Sequence, residues 1–161
     1  MLILAFDISS VALGVVAYDG IRVTHRETVE LPAKLAIGGR VYLAGIQYTQ
    51  LIAKLQPTAV AYEGPNKGGH LNATIQIQRV VGPLLARAYS GEVLIVEIAP
   101  ASAKKALTGK GNADKTLMIR HAEGMFGGHW TEHEADALGV ALQAEADLKG
   151  RELRRLAEQA V

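Results

Sequence analysis

Two short apolar runs, Leu2-Ile3-Leu4-Ala5-Phe6 and Thr58-Ala59-Val60-Ala61-Tyr62, each end on a carboxylate, Asp7 and Glu63, and a long amphipathic stripe separates them. Runs this short and this apolar read as strands buried on both faces of a sheet. The stripe Ile37, Val41, Ala44, Tyr48, Leu51, Leu55 steps by four, three, four, three and four, and Pro57 stops it. That spacing is one face of a helix. Two buried strands joined through a helix imply a parallel pair with a right-handed crossover. The chain is therefore read as α/β.

The remaining elements fall around this pair. Leu13 to Tyr18 reads as a strand closed by the hairpin dipeptide Asp19-Gly20. Ile21 to Leu31 follows as a third strand, more polar and so nearer an edge. A second helix is expected from about Leu71 to Tyr89, with Pro83 kinking or weakening it. Val93-Leu94-Ile95-Val96 reads as a fifth, deeply buried strand, ended at Pro100. Helical pieces follow at Ser102 to Leu107, at Asp114 to about Glu123, and as a long final helix from Glu132. The prediction is a mixed five-stranded sheet with helices on both faces, in a single domain over residues 1–161.

Composition narrows the function classes. Apolar residues make up 49 % and charged residues 20 % of the 161, an ordinary globular balance. Seventeen Lys plus Arg against sixteen Asp plus Glu leave a formal charge of +1. Contact with a polyanion must then come from a local patch. The absence of cysteine excludes thiolate zinc sites, disulfides and cysteine nucleophiles. Asp7 interrupts the N-terminal apolar run too early for a signal peptide. No apolar run approaches the ~18 residues that span a bilayer. The expectation is a cytoplasmic protein with no membrane contact.

Asp7 and Glu63 are the first candidates for chemistry, because ligand sites in open α/β sheets form beyond the carboxyl ends of the strands. A lone acid there is more often a solvated group or a turn cap. Two on neighbouring strands would repel at a cost unless a cation sat between them. Thr131-Glu132-His133-Glu134-Ala135-Asp136 supplies the third element. Thr131 with Glu134 three residues on is a capping box, which gives Glu134 a structural role. His133 and Asp136 then share one face of the first helical turns, and Glu132 could also turn that way. An imidazole there could equally be a half-solvated surface group. Together, Asp7, Glu63, His133 and Asp136 make an oxygen-rich set with one nitrogen, suited to Mg²⁺ or Mn²⁺. Lys104 to Lys115 is the densest basic segment, with four lysines (Lys104, Lys105, Lys110, Lys115) against one acid, Asp114. Its glycines let backbone approach a phosphate chain.

Phe6-Asp7-Ile8-Ser9, the strand-end Glu63, the lysine segment and Ala135-Asp136-Ala137-Leu138-Gly139-Val140-Ala141-Leu142, in this order along nearly the whole chain, resemble the RuvC family of Holliday junction resolvases. The resemblance implies a ribonuclease H-like fold, a homodimer, and cleavage of four-way and other branched DNA by paired symmetric nicks. It also implies two divalent ions per subunit, Mg²⁺ with Mn²⁺ as a substitute. Their ligands by resemblance are Asp7, Glu63, Asp136 and the residue three before it, often aspartate and here His133. Lys104 and Lys115 match family lysines that contact DNA, with Lys105 in place of Lys104 if the register slips by one. Lys110 and, in the loop after Glu63, Asn66 and Lys67 are further DNA-contact candidates. That loop, Gly64 to His70, lacks the aromatic that family members stack on junction bases, a contact worth about 1–3 kcal/mol per base. Lys67 or His70 could contact phosphates instead. The short length and divergent loops resemble bacteriophage members. Apolar Ala73, Ile77, Val80 and Leu84 on the second helix are candidates for the dimer interface and equally for core.

Other readings remain open at this stage. A ribonuclease H-like nuclease on RNA/DNA hybrids, an exonuclease and a non-enzymatic junction-binding protein would share the fold. Clustered carboxylates facing phosphates without metal disfavour the last. Gly109 to Thr116 approximates a Walker A loop, but Asp114 stands at the second glycine. His129-Trp130-Thr131-Glu132-His133 matches a zinc-protease pattern that needs one continuous helix. Asp7-Ile8-Ser9-Ser10 with Gly14 resembles the phosphate hairpin of actin-like kinases, which need two lobes.

Overall fold

A computed structural model describes residues 1–65 and 71–159. Its elements run β1 (Ile3–Ile8), β2 (Ala12–Tyr18), β3 (Val23–Glu30), α1 (Ile37–Leu55), β4 (Ala59–Glu63), α2 (Leu71–Ser90), β5 (Leu94–Ile98), α3 (Pro100–Thr108), α4 (Lys115–Phe126) and α5 (Glu132–Gln159). The strands form one sheet in the order β3-β2-β1-β4-β5. β1, β2 and β3 are antiparallel neighbours, whereas β1–β4 and β4–β5 are parallel. The expected crossover through α1 is present, and β1 sits at the centre.

Alternation along the strands sorts the core into two layers. Leu4 and Phe6 of β1 pack with α1 and α2, through residues such as Tyr48, Leu51, Val80 and Leu84. Ile3 and Ala5 pack on the opposite face with α3, α4 and α5. α5 meets that face through Leu138 and through Ala135, Ala137, Ala141 and Ala144, small residues that let a helix lie close to a sheet. Phe6 meets Tyr48 edge-to-face with centroids 5.1 Å apart.

Several sequence expectations shift. The fifth strand is not deeply buried. It is a sheet edge, with Leu94 58 % and Ile95 36 % exposed. An apolar run of that kind marks a central strand only if another strand or helix covers it. β3 begins at Val23 because Asp19 holds Ile21 and Arg22 in the turn, accepting their amides at 2.9 and 2.7 Å. α2 continues through Pro83 to Ser90. Val80 and Leu84 of that helix are fully buried core, so they are not a surface for a second subunit, and Ile77 packs against the same core. Among the described residues, no helix is long and apolar enough to cross a membrane.

Candidate active site

The register that pairs Phe6 with Tyr62 places Asp7 and Glu63 at the next step of the central parallel pair. Both side chains project toward the α5 face, as do Ala5 and Ala61 before them. α5 approaches that point with its N-terminus. Thr131 caps it as expected: its hydroxyl accepts the Glu134 amide at 3.1 Å, and Glu134 Oε2 lies 3.4 Å from the Thr131 amide. The first turn rests on β2 at Gly14, where an added Cβ would lie 2.1 Å from the His133 carbonyl oxygen. This close approach needs glycine, and it delivers His133 to Asp7. The ring Nδ1 and Asp7 Oδ2 are 2.6 Å apart.

The charges explain what such a site lacks. Burial, then the negative charges of Asp7 and Asp136, push Glu63 up to about 7, with Lys104 pulling the other way. Burial and then Asp7 push Asp136 up to about 6, again opposed by Lys104. His133 is raised, chiefly by its hydrogen bond to Asp7. Three carboxylates therefore compete for too little positive charge. As the side chains stand, no three acidic or imidazole groups among the described residues close around one point to hold an ion. The donor set nevertheless fits a hard divalent cation: three anionic oxygens and one nitrogen, half-buried and mutually repelling.

Lys104 of α3 is half-buried beside these acids, and its charge lowers both Glu63 and Asp136. Lys105 is exposed. Lys115, the first residue of α4, is ion-paired with Glu132. Glu132 also adds to the charge felt by Asp136, so it faces the site without replacing His133. Lys110 is exposed in the turn after α3. Asn66, Lys67 and His70 lie outside the described residues. The zinc-protease spacing falls apart, since α5 starts at Glu132 and His129 is exposed beside Glu123. Sequence reasoning took Gly14 only as part of a phosphate-hairpin likeness and missed Arg26. The latter bonds Glu134 Oε2 at 2.6 Å across a separation of 108 residues, for which no local pattern exists.

The raised acids set a sign for pH dependence. A carboxyl that is harder to ionise in the fold contributes nothing below its unfolded value, destabilises increasingly from there up to its folded value of about 7 for Glu63 and about 6 for Asp136, and adds no further penalty above it. For Glu63 the full penalty is on the order of 3 kcal/mol. His133, raised by its partner, adds stability that is likewise lost as pH rises. In EDTA, the thermal midpoint should therefore fall between pH 5 and pH 8. Glu63→Gln should flatten that fall and raise the midpoint at pH 8. A profile that is equally steep in wild type and variant would contradict the charge assignment.

An open mixed sheet in this order, with acids at the carboxyl ends of its two central strands and on the first turn of the last helix, defines the ribonuclease H-like architecture. Residues 8–144 match the family described as crossover junction endodeoxyribonuclease RuvC, and the chain belongs to the RuvC family. The RuvC of Anaeromyxobacter dehalogenans is 32 % identical over 148 residues, covering 88 % of this chain and 79 % of that protein. The RuvC of Chlorobium phaeovibrioides is 30 % identical over 150 residues, with the same coverage. Among solved structures, Thermus thermophilus RuvC in complex with Holliday junction substrate superposes with a TM-score of 0.77 at 24 % identity, covering 89 % of this chain and 92 % of that one. The yeast mitochondrial Holliday junction resolvase Ydc2 shares the fold at a TM-score of 0.62 and 14 % identity, covering 99 % and 84 %.

Proposed function

We propose that residues 1–161 act as one nuclease domain, a structure-specific endodeoxyribonuclease that resolves four-way DNA junctions by paired nicks. The observation that carries this reading is the convergence of Asp7, Glu63, His133 and Asp136 beside Lys104 at the centre of a RuvC-family fold. These four residues would hold two Mg²⁺ ions per subunit, with Mn²⁺ as a substitute. Divalent ions held there would supply Lewis acidity for phosphodiester hydrolysis.

The chain's own groups divide the remaining work. Asp7, from the central strand, is the carboxylate both other acids sense, so it is the shared point of the site. Glu63, in register beside Asp7 at the end of β4, is placed to orient a water poised for attack. His133, tied to Asp7, would complete the leaving-group side of the site with Asp136. Lys104 and Lys115 flank the acids and attract the phosphate backbone. Lys105 and Lys110 extend that basic surface, and Asn66 and Lys67 would meet DNA from the loop after β4.

Two sites on opposite strands of a two-fold junction require a two-fold dimer. The outer face of α1 and α2 suits it. Val41, Gly45, Ile46 and Pro83 form an apolar groove of about 520 Å³ there, beside the exposed Tyr42. Of the positions read from the sequence as interface or core, Val80 and Leu84 are core and Ala73 is exposed. The decisive experiment presents four-way, three-way, flap and linear DNA, and an RNA/DNA hybrid, with Mg²⁺ or Mn²⁺, while light scattering reports the mass. Symmetric nicks in the four-way junction by a dimer are expected. Preferential cleavage of the hybrid, or of linear ends, would replace this reading.

The lysines give a separate prediction. Lys115→Ala and Lys104→Ala should each reduce the slope of log affinity against log salt by about 0.9 per lost phosphate contact. An unchanged slope in both would mean that the segment only solvates the site's rim.

A further inference from the structure

The first turn of α5 is anchored to the sheet edge by more than its cap. Arg26 of β3 donates from Nη1 to Glu134 Oε2 at 2.6 Å and to the His129 carbonyl at 2.7 Å. Its guanidinium carbon lies 4.5 Å from the Trp130 ring centroid, a cation–π contact. Trp130 is itself fixed, 1 % exposed with its indole N–H on the Gly127 carbonyl at 2.8 Å. Glu134 is buried at 7 % exposure. One strand residue thus grips the chain just before α5, the aromatic beside it and the helix's third residue. On the same strand, Thr28 Oγ1 meets Thr131 Oγ1 at 2.7 Å, and on the adjacent strand β2 Gly14 receives the backbone of His133.

These contacts do not read as devices for stability alone. The capping box already serves the first amides of the helix, and an ion pair with one buried partner is often matched in stability by apolar residues of the same volume. What the pair adds is direction. A guanidinium bonded to both sides of the Thr131 cap fixes the rotation of the first turn about the helix axis. His133 stands one residue before Glu134, and its ring meets Asp7 only if that rotation is held.

We infer that Arg26, acting through Glu134 and the His129 carbonyl, is a positioning residue that sets the rotation of α5 so that His133 faces Asp7. The inference rests on the assignment of His133 to the active site made above. Arg26 touches none of the reacting groups, so its loss acts on geometry. A misplacement of about 1 Å at a reacting group can cost roughly 10²-fold in rate.

The test uses the full chain in three variants. Arg26→Met combined with Glu134→Gln keeps the volume and the capping-box contact to the Thr131 amide, and removes the ion pair. Arg26→Lys keeps the charge beside Glu134 but loses the planar guanidinium stacked over the Trp130 ring. His133→Ala reports whether the histidine belongs to the site at all. Single-turnover cleavage at saturating junction, junction affinity, thermal midpoint and Mn²⁺ affinity by calorimetry without DNA are read for each. The double variant should fold with a midpoint near wild type and bind the junction within about threefold, yet lose roughly tenfold or more in cleavage and in Mn²⁺ affinity. Arg26→Lys should show the same pattern at smaller amplitude. Wild-type cleavage and Mn²⁺ affinity in both folded Arg26 variants, with His133→Ala inactive, would overturn the inference and leave the site intact. Wild-type cleavage in His133→Ala would overturn the site reading itself.

Discussion

Asp7→Asn should abolish cleavage while leaving junction binding within about tenfold of wild type. Asp7 is the one carboxylate whose charge reaches Glu63, Asp136 and His133 alike. Asparagine occupies the same space and can still meet His133 Nδ1, so β1 and the fold survive. The change removes one full negative charge from the set that would hold the cations. Several kcal/mol of transition-state stabilisation depend on those cations, which corresponds to roughly 10³-fold or more in rate. The basic contacts from Lys104 and Lys115 are untouched, and binding should follow them. Asp136→Asn should behave alike, with a further signature: removing either acid relieves Glu63, so the steep loss of stability between pH 5 and pH 8 becomes shallower. Single-turnover rates and gel-shift affinities with both variants decide the matter. Cleavage at wild-type rates in either would remove that residue from the site.

Gly14→Ala should be the most damaging substitution outside the acidic set. A Cβ at position 14 would lie 2.1 Å from the His133 carbonyl oxygen, 2.4 Å from its carbon and 2.8 Å from its Cβ. Backbone stands on both sides of that contact, so no side chain can swing away. α5 must lift from β2 or β2 must bend. Overpacking in a core costs about 1–3 kcal/mol and occasionally more, and a collision between two backbones belongs at the upper end. The displaced turn carries His133 and Asp136, so cleavage should fall roughly 10²-fold even in folded protein. Junction affinity should change little. Gly38→Ala is the control: an added methyl there meets nothing within 4 Å, and alanine favours a helix over glycine by up to about 1 kcal/mol. Its thermal midpoint should stay level or rise. A Gly14→Ala protein that melts and cleaves like wild type would mean that β2 and α5 are less tightly apposed.

Much of the molecule is legible without its tertiary structure, wherever the determinant is local. Alternating or continuous apolar runs dictate strands, and the stripe from Ile37 to Leu55 dictates α1, because backbone periodicity alone decides which side chains can be buried together. Thr131 and Glu134 announce the start of α5, since a cap acts within one turn. Asp7 and Glu63 stand out because two runs of the same kind end on the same charge, and parallel neighbours in register must then bring those charges together. The basic segment also announces itself, although only the fold shows that Lys104 leans toward the acids and Lys105 is exposed.

Only the tertiary structure decided the rest, and in each case the energy lies in pairings between distant segments. Leu94 and Ile95 carry the residue types of a central strand, yet strand order places them at an edge; periodicity reports what can be buried, not what arrives to bury it. Val80 and Leu84 turn inward for the converse reason, because α1 and the sheet close over them. Gly14 looks like any glycine in a hairpin until α5 crosses it. Arg26 and Glu134 are separated by 108 residues and have no local reason to be partners. The chemical identities of the site groups are properties of the sequence, while the distances and rotations that would make them an active site exist only once the sheet and its last helix have met.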